Sequence, residues 1–246
     1  MSSAVRFLAT VAAVAAFAGC ATPNTYVAKR VGNPAPVELP KKVVLIPAEV
    51  NVIEISAGGI PEPVQEWSEQ ASKNLTEAVH REAGAGAPFA VVDLPALTPW
   101  EQDILKTHLA MYETVVASIN DYALSSDTLW KERTAELHYT LGPGLSFLQE
   151  KTGASAAMLI VGEDSVLTGG RLLLMAASAL VFGFPAVPPG YSYFAAGLVD
   201  LGTGDLLWHN FDWNIARRDL RKPEDANGLV SEVLAAFPGR QAEAQP

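Results

Sequence analysis

Apolar and polar positions along this chain switch repeatedly between two periods. Val43-Val44-Leu45-Ile46 is a short apolar run closed by Pro47, and from Val50 to Ile55 the pattern resumes in alternation. Together they predict one strand with an irregular end. From Pro61 the period lengthens: Val64, Trp67, Ala71, Leu75 and Val79 share one helical face, with Gly84 as C-cap. Phe89 to Val92 reads as a second strand. Thr98-Pro99-Trp100-Glu101 then places N-cap, N1 and N3 residues in the order of a capping box. The helix it opens carries Ile104, Leu105, Met111, Tyr112, Val115 and Ile119. Helical pattern continues through Leu129, Trp130, Leu137 and Leu148, broken at Gly142-Pro143-Gly144.

Ala156 to Val161 is wholly apolar, as suits a strand buried on both faces. Two strands flank a turn in YFAAGLVDLGTGDLLWHNFDW, and Leu229, Val230, Val233, Leu234 and Phe237 mark a closing helix. The order predicts an α/β fold, a mixed β-sheet covered by helices, in one domain over residues 41–240. No internal repeat is present. Between the apolar strand and the hairpin, Leu172 to Phe184 is almost entirely apolar and too short to span a bilayer. Its small residues and its lack of a polar face predict a segment packed in the core. The alternative is a self-association patch, or a segment dipping into lipid.

The N-terminus has a different character. Arg6 supplies a positive charge, Phe7 to Ala16 an apolar run, and Phe17-Ala18-Gly19 small residues before Cys20, the sole cysteine. These are the parts of an export signal over residues 1–19. Phe17-Ala18-Gly19-Cys20 resembles the lipobox of bacterial lipoproteins, with Phe17 where leucine is usual. The resemblance implies that the signal is removed and that Cys20 becomes the acylated first residue, with palmitate-type chains as the anchor. Ala21, in place of the aspartate associated with inner-membrane retention, implies outer-membrane delivery, facing the periplasm. Ala21 to Pro40 carries Pro23, Pro34, Pro36 and Pro40 and few large apolar residues, so residues 20–40 read as a lipidated tether. Residues 241–246 read as a flexible tail.

Composition narrows the function. The chain of 246 residues is 49% hydrophobic and 18% charged, which favours a folded body over global disorder. Without Arg6, 16 basic residues face 27 acidic ones, a formal charge of −11. That balance argues against nucleic acid and against electrostatic adhesion to anionic lipid. Arg217, Arg218, Arg221 and Lys222 stand out against the acidic background, either as a contact for an anionic partner or as a solvated loop.

The predicted turn Asp200-Leu201-Gly202-Thr203-Gly204-Asp205 needs positive φ at Gly202 or Gly204. With its flanks it reads Leu198-Val199-Asp200-x-x-Thr203-Gly204-x-x-x-Trp208. This resembles the terminal hairpin of small envelope lipoproteins, among them the curli-export and exopolysaccharide-export lipoproteins and the lipoprotein activators of cell-wall synthases. The resemblance implies a non-enzymatic protein that binds a protein partner or self-assembles in the periplasm. Two membrane-insertion hairpins, as in the pore formers, are not found.

Catalytic patterns are scarce. His80, His108, His138 and His209 are dispersed, no His-Glu-x-x-His occurs, and the one cysteine is taken by the lipobox, so no metal site or cofactor is expected. His80 and His108 fall at expected solvent-facing helix positions. There is no Gly-x-Ser-x-Gly, and no Lys-Ser/Thr follows Gly169-Gly170. Glu163 and Asp164 follow a buried strand and read as a solvated strand end, the alternative being paired carboxylates for acid–base work. The alternative to a binding protein is a periplasmic, hydrolase-like enzyme with unfamiliar spacing.

Overall fold

Val43 and Leu45 turn to one side of a central sheet and Val44 and Ile46 to the other, and both sides are buried. The same division runs along the middle strand, with Ala156, Met158 and Ile160 on the first side and Ala157, Leu159 and Val161 on the second. Such double burial is what continuous apolar runs encode. The computed structural model describes residues 25–27, 39–84, 87–124, 139–214 and 218–240. Its strands are β1 (Thr25–Val27), β2 (Lys42–Leu45), β3 (Glu49–Ile55), β4 (Pro61–Pro63), β5 (Ala90–Asp93), β6 (Ala156–Leu167), β7 (Ser192–Asp200) and β8 (Leu206–Asn214). Five α-helices accompany them: α1 (Gln65–Gly84), α2 (Pro99–Leu124), α3 (Ser146–Thr152), α4 (Gly169–Phe182) and α5 (Pro223–Ala235).

The sheet runs β1-β8-β7-β6-β2-β5, with β3 also beside β6 and β4 beside β3. Parallel pairs join β6 to β2 and β3, and β2 to β5; β6, β7, β8 and β1 are successively antiparallel. The sheet is therefore mixed, with helices on both faces, as the sequence predicts. The first face packs under α1 and α5, the second under α2, α3 and the 3₁₀ turn Pro143–Leu145.

The expected single strand with an irregular end is two strands against one neighbour. Leu45 lies opposite Met158 and Glu49 opposite Val161, four steps against three, so one residue is extra at the break around Pro47. Proline has no N–H for the ladder, which makes this the natural place to leave it. Helix α1 tends the interruption: Thr76 Oγ1 accepts the Ala48 N–H at 3.1 Å and Ser68 Oγ the Val52 N–H at 2.9 Å.

Three boundaries differ from expectation. Pro61 does not start a helix; Pro61–Pro63 is an edge strand paired antiparallel with Ile53–Ile55, a position where a missing N–H can face solvent. Strand β6 continues through Leu167, because Gly162 to Leu167 stay paired with β3, and Gly162 to Asp164 also with β7, despite their polar members. Thr25–Val27, within the segment read as tether, pairs with Asn210–Trp208 of β8. Its residues favour strand, and β8 offers an open edge there.

The capping box at α2 is formed. Thr98 N–H donates to Glu101 Oε2 at 2.7 Å, and Glu101 N–H to Thr98 Oγ1 at 3.3 Å. Lys151 Nζ, 2.7 Å from the same Glu101 oxygen, is the main reason that this carboxyl titrates below its usual range.

Candidate functional site

Leu172 to Phe184, expected in the core, lies on the surface. Thr168 caps α4 by accepting the Arg171 N–H at 3.2 Å, and Gly183, at φ 79°, ends it in the left-handed conformation with its N–H on Ala179 O. Between these caps the usual amphipathic order is inverted. Arg171 and Ser178, seven apart and thus on one face, are the buried residues of the helix. Leu173 is 71% and Leu180 89% exposed, and Leu172, Leu174, Val181, Phe182 and Phe184 are exposed with them. The helix is held by polar contacts to its own return loop: Arg171 Nη2 donates to Pro188 O at 3.3 Å, and Ala186 N–H to Ser178 Oγ at 2.9 Å. The reason is topological. Both sheet faces are already filled by α1, α5 and α2, and α4 leaves from the end of β6, where no apolar face is vacant.

This end of the sheet gathers nearly all of the exposed apolar surface. Among the described residues ten large apolar side chains are exposed; eight belong to segments leaving the sheet at the ends of β3 and β6, and a ninth, Trp213, lies in the last residues of β8. The exception is Trp100, in the first turn of α2. Trp213 stacks on Tyr191, with centroids 5.5 Å apart and planes 4° apart, and on Tyr193 at 6.2 Å.

Beside the aromatic stack, an open cleft of about 720 Å³ is lined by Glu49, Asn51, Ser68, Glu113, Glu163 and Tyr193 among others. Tyr191 OH donates to Glu163 Oε1, and Asn51 Nδ2 approaches Glu163 Oε2 at 3.5 Å. The Glu163 carboxylate pushes the Tyr191 hydroxyl up to about 12. Partial burial raises the Glu113 carboxyl, helped by the charges of Glu49 and Glu163. Ser68 Oγ is engaged by Val64 O and Val52 N–H, so it is not an activated nucleophile. No group of three or more His, Cys, Asp or Glu suited to a metal occurs among the described residues. What the cleft offers a ligand is carboxylate acceptors beside aromatic rings.

The sequence candidates are dispersed. Cys20 and Arg217 lie outside the described residues. Arg218 pairs with Asp212 at 3.3 Å and with Glu232 at 2.5 Å. Arg221 forks onto both Asp219 oxygens at 2.7 and 2.8 Å and sits 4.3 Å over the Trp67 ring, while Lys222 Nζ is 3.7 Å from Asp219. These three cations thus each have an acidic partner within the chain. Gly204 has φ 80°, and Gly202 donates its N–H to Asp200 Oδ1. His80 is exposed and contacts Asp93 at 3.1 Å. His108 is not solvent-facing as expected; it is buried against Gly144, with Nδ1 2.8 Å from Ile104 O. A glycine lets the ring in, and helical periodicity alone does not register it.

Asp164 is likewise no solvated strand end. It is 1% exposed and accepts the Leu220 N–H at 2.9 Å, joining β6 to the turn before α5. Burial, with smaller repulsion from Asp219 and Asp225, raises its carboxyl from 3.8 to about 6. Folding therefore favours the protonated form. The group's contribution to stability is full below about pH 4 and is lost as pH rises through about 6. Asp164→Asn keeps an acceptor for Leu220 and removes that loss. The variant is expected to exceed wild type by on the order of 3 kcal/mol at neutral pH, with the gap closing toward pH 4. Urea unfolding across that range checks this, and a gap independent of pH would contradict it.

No family model matches the chain, and no curated protein matches it. Among solved structures it is similar to a PelC dodecamer from Paraburkholderia phytofirmans, at 12% identity over 80% of this chain and 86% of that one, with a TM-score of 0.35. It is also similar to lipoprotein GNA1162 from Neisseria meningitidis, at 15% identity over 82% and 99%, with a TM-score of 0.32. The class of protein defined here is a mixed-sheet α/β sandwich with an uncovered apolar helix at one end of its sheet. Among the described residues no helix is long and apolar enough to cross a membrane.

Proposed function

We propose that this chain is an envelope lipoprotein, anchored through acylated Cys20 at the outer membrane and facing the periplasm. It works by binding another envelope protein or further copies of itself, without a catalytic step of its own. The observation that carries the envelope part of this reading is the concentration of uncovered apolar side chains at one end of the sheet. Patches of this kind mark surfaces that meet a partner or a membrane. Weighing against the hydrolase alternative, Glu163 is taken up by Tyr191 and Asn51, and Ser68 by backbone groups.

The test begins with the anchor. Wild-type protein from cell membranes should carry a diacylglyceryl thioether and an amide-linked acyl chain on Cys20 by intact mass. Cys20→Ser should accumulate with its signal attached. An unmodified thiol on Cys20 would remove the anchored reading. Cross-linking in cells, followed by mass spectrometry, then identifies the partner. A protein that cross-links to nothing at native abundance would remove the assembly reading.

A further inference from the structure

We infer that α4 and its return loop are a membrane-interface segment, with the leucine and phenylalanine side chains seated in the bilayer that receives the Cys20 anchor. The inference rests on the anchored reading above for its geometry, and four observations of different kinds lead to it.

The first is the inversion of α4. A helix lying in an interface normally needs a polar face toward water and an apolar face toward lipid. Here the protein itself occupies the polar side: Arg171 and Ser178 are turned inward to Pro188 and Ala186, leaving Leu173, Leu180 and Phe184 outward. The second is charge. No ionisable Asp, Glu, Lys or Arg occurs between Arg171 and Asp200, in a chain that is otherwise acidic. The segment that protrudes thus carries no side-chain charge to resist transfer out of water.

The third observation is direction. Strand β1 is antiparallel to β8, Thr25 opposite Asn210 and Val27 opposite Trp208. The chain therefore enters β1 from the side toward which β8 runs, the end carrying Trp213 and the exit of β6 into α4. Cys20 is five residues before Thr25, within about 18 Å of it at full extension. The anchor is thus tethered within that reach of the end that carries the apolar helix. The fourth is aromatic. Trp213, half exposed and stacked on Tyr191, lies at this end, and Trp and Tyr are the side chains that settle at the boundary between headgroups and acyl chains. At 14 residues, about 21 Å of helix, α4 is too short to cross. It would lie along or dip into one leaflet. A second copy of the chain would also cover the leucines, but it gives no reason for the anchor and the patch to share one end.

Single-cysteine probes test this on the full, acylated protein reconstituted into vesicles of phosphatidylethanolamine and phosphatidylglycerol. Acylation leaves the wild type without a thiol, because Cys20 is its only cysteine. Leu180→Cys and Phe184→Cys, both at exposed positions, and Glu150→Cys, exposed on α3, are labelled with an environment-sensitive fluorophore. The expected result is that doxyl-labelled lipid quenches most of the emission at residues 180 and 184 and leaves residue 150 unchanged. Probes at 180 and 184 as open to aqueous iodide as the probe at 150 would overturn the proposal. So would shielding that appears only as protein density per vesicle rises, the mark of a second copy. Failure of the anchored reading shows separately, as uptake of label by the wild type. The same probes on a chain lacking residues 1–19 and carrying Cys20→Ser, with neither signal nor acyl group, then read the helix alone: lipid quenching supports the inference, and its absence overturns it.

Discussion

Gly204→Val is expected to lower stability by at least about 3 kcal/mol, enough to leave a marginal domain without a cooperative transition, whereas Gly202→Val should change it by less than about 1 kcal/mol. The two glycines look equivalent in Asp200-Leu201-Gly202-Thr203-Gly204-Asp205, and the structure separates them. Gly204 has φ 80°, a region that a β-branched residue adopts only with strain of about 1–3 kcal/mol. Its missing side chain also makes room for another piece of backbone. A Cβ there would lie 1.9 Å from Gly142 O and 2.6 Å from Gly142 N. That strand-like approach is fixed by Leu141 N–H to Gly204 O at 2.8 Å and Leu206 N–H to Tyr139 O at 2.9 Å. Backbone so held has no rotamer by which to yield, so overpacking adds to the strain. A Cβ on Gly202 would meet only side-chain oxygens, Asp200 Oδ1 at 3.3 Å and Gln149 Oε1 at 3.8 Å, and no backbone. Guanidinium unfolding midpoints of the two variants check the contrast, and equal losses would contradict it.

The paired backbones at Gly204 also show where sequence patterns stop informing. The hairpin was legible because its turn chemistry is local, as was the capping box of α2, whose partners are three residues apart. The two-faced burial of β2 and β6 was legible because continuous apolar runs have few other uses. The contact with Gly142, by contrast, joins segments more than sixty residues apart, and nothing in either stretch names the other. The Pro61–Pro63 strand was missed for a related reason. Proline at N1 and proline on a sheet edge both exploit a missing N–H, and only the neighbour, β3, decides between them.

Helix α4 exposes a different limit. Its composition predicts core because apolar residues without a polar face are usually buried. The rule presumes that a face of the sheet is free to receive them. Here α1, α5 and α2 had already filled both faces, a fact distributed over three other segments. Asp164 and His108 fail the opposite way: polar residues whose burial depends on a distant amide and a distant glycine. The chemistry-bearing positions missed by sequence are thus the ones defined by long-range contacts.

Tyr112→Ala is expected to cost about 3–5 kcal/mol, as the removal of a fully buried aromatic side chain from α2. Its ring lies on β7 at Gly197, where a Cβ would come within 2.5 Å of ring carbons and of the hydroxyl oxygen. Its hydroxyl pairs with His209 Nδ1 on β8 at 2.9 Å, and burial holds that imidazole neutral, down to about 3. Tyr112→Phe keeps the packing and leaves His209 Nδ1 without its partner, a loss of about 1–3 kcal/mol. The geometry gives a sharper signature than either number. Gly197→Ala alone should destabilise, because its methyl enters space the ring occupies. In a Tyr112→Ala background the same methyl enters the vacated space, and the cost should vanish or reverse. The double-mutant cycle therefore predicts strong non-additivity between residues on α2 and β7. Additive losses would show that the ring does not rest on Gly197, and that α2 is held to the second face by its other apolar residues alone.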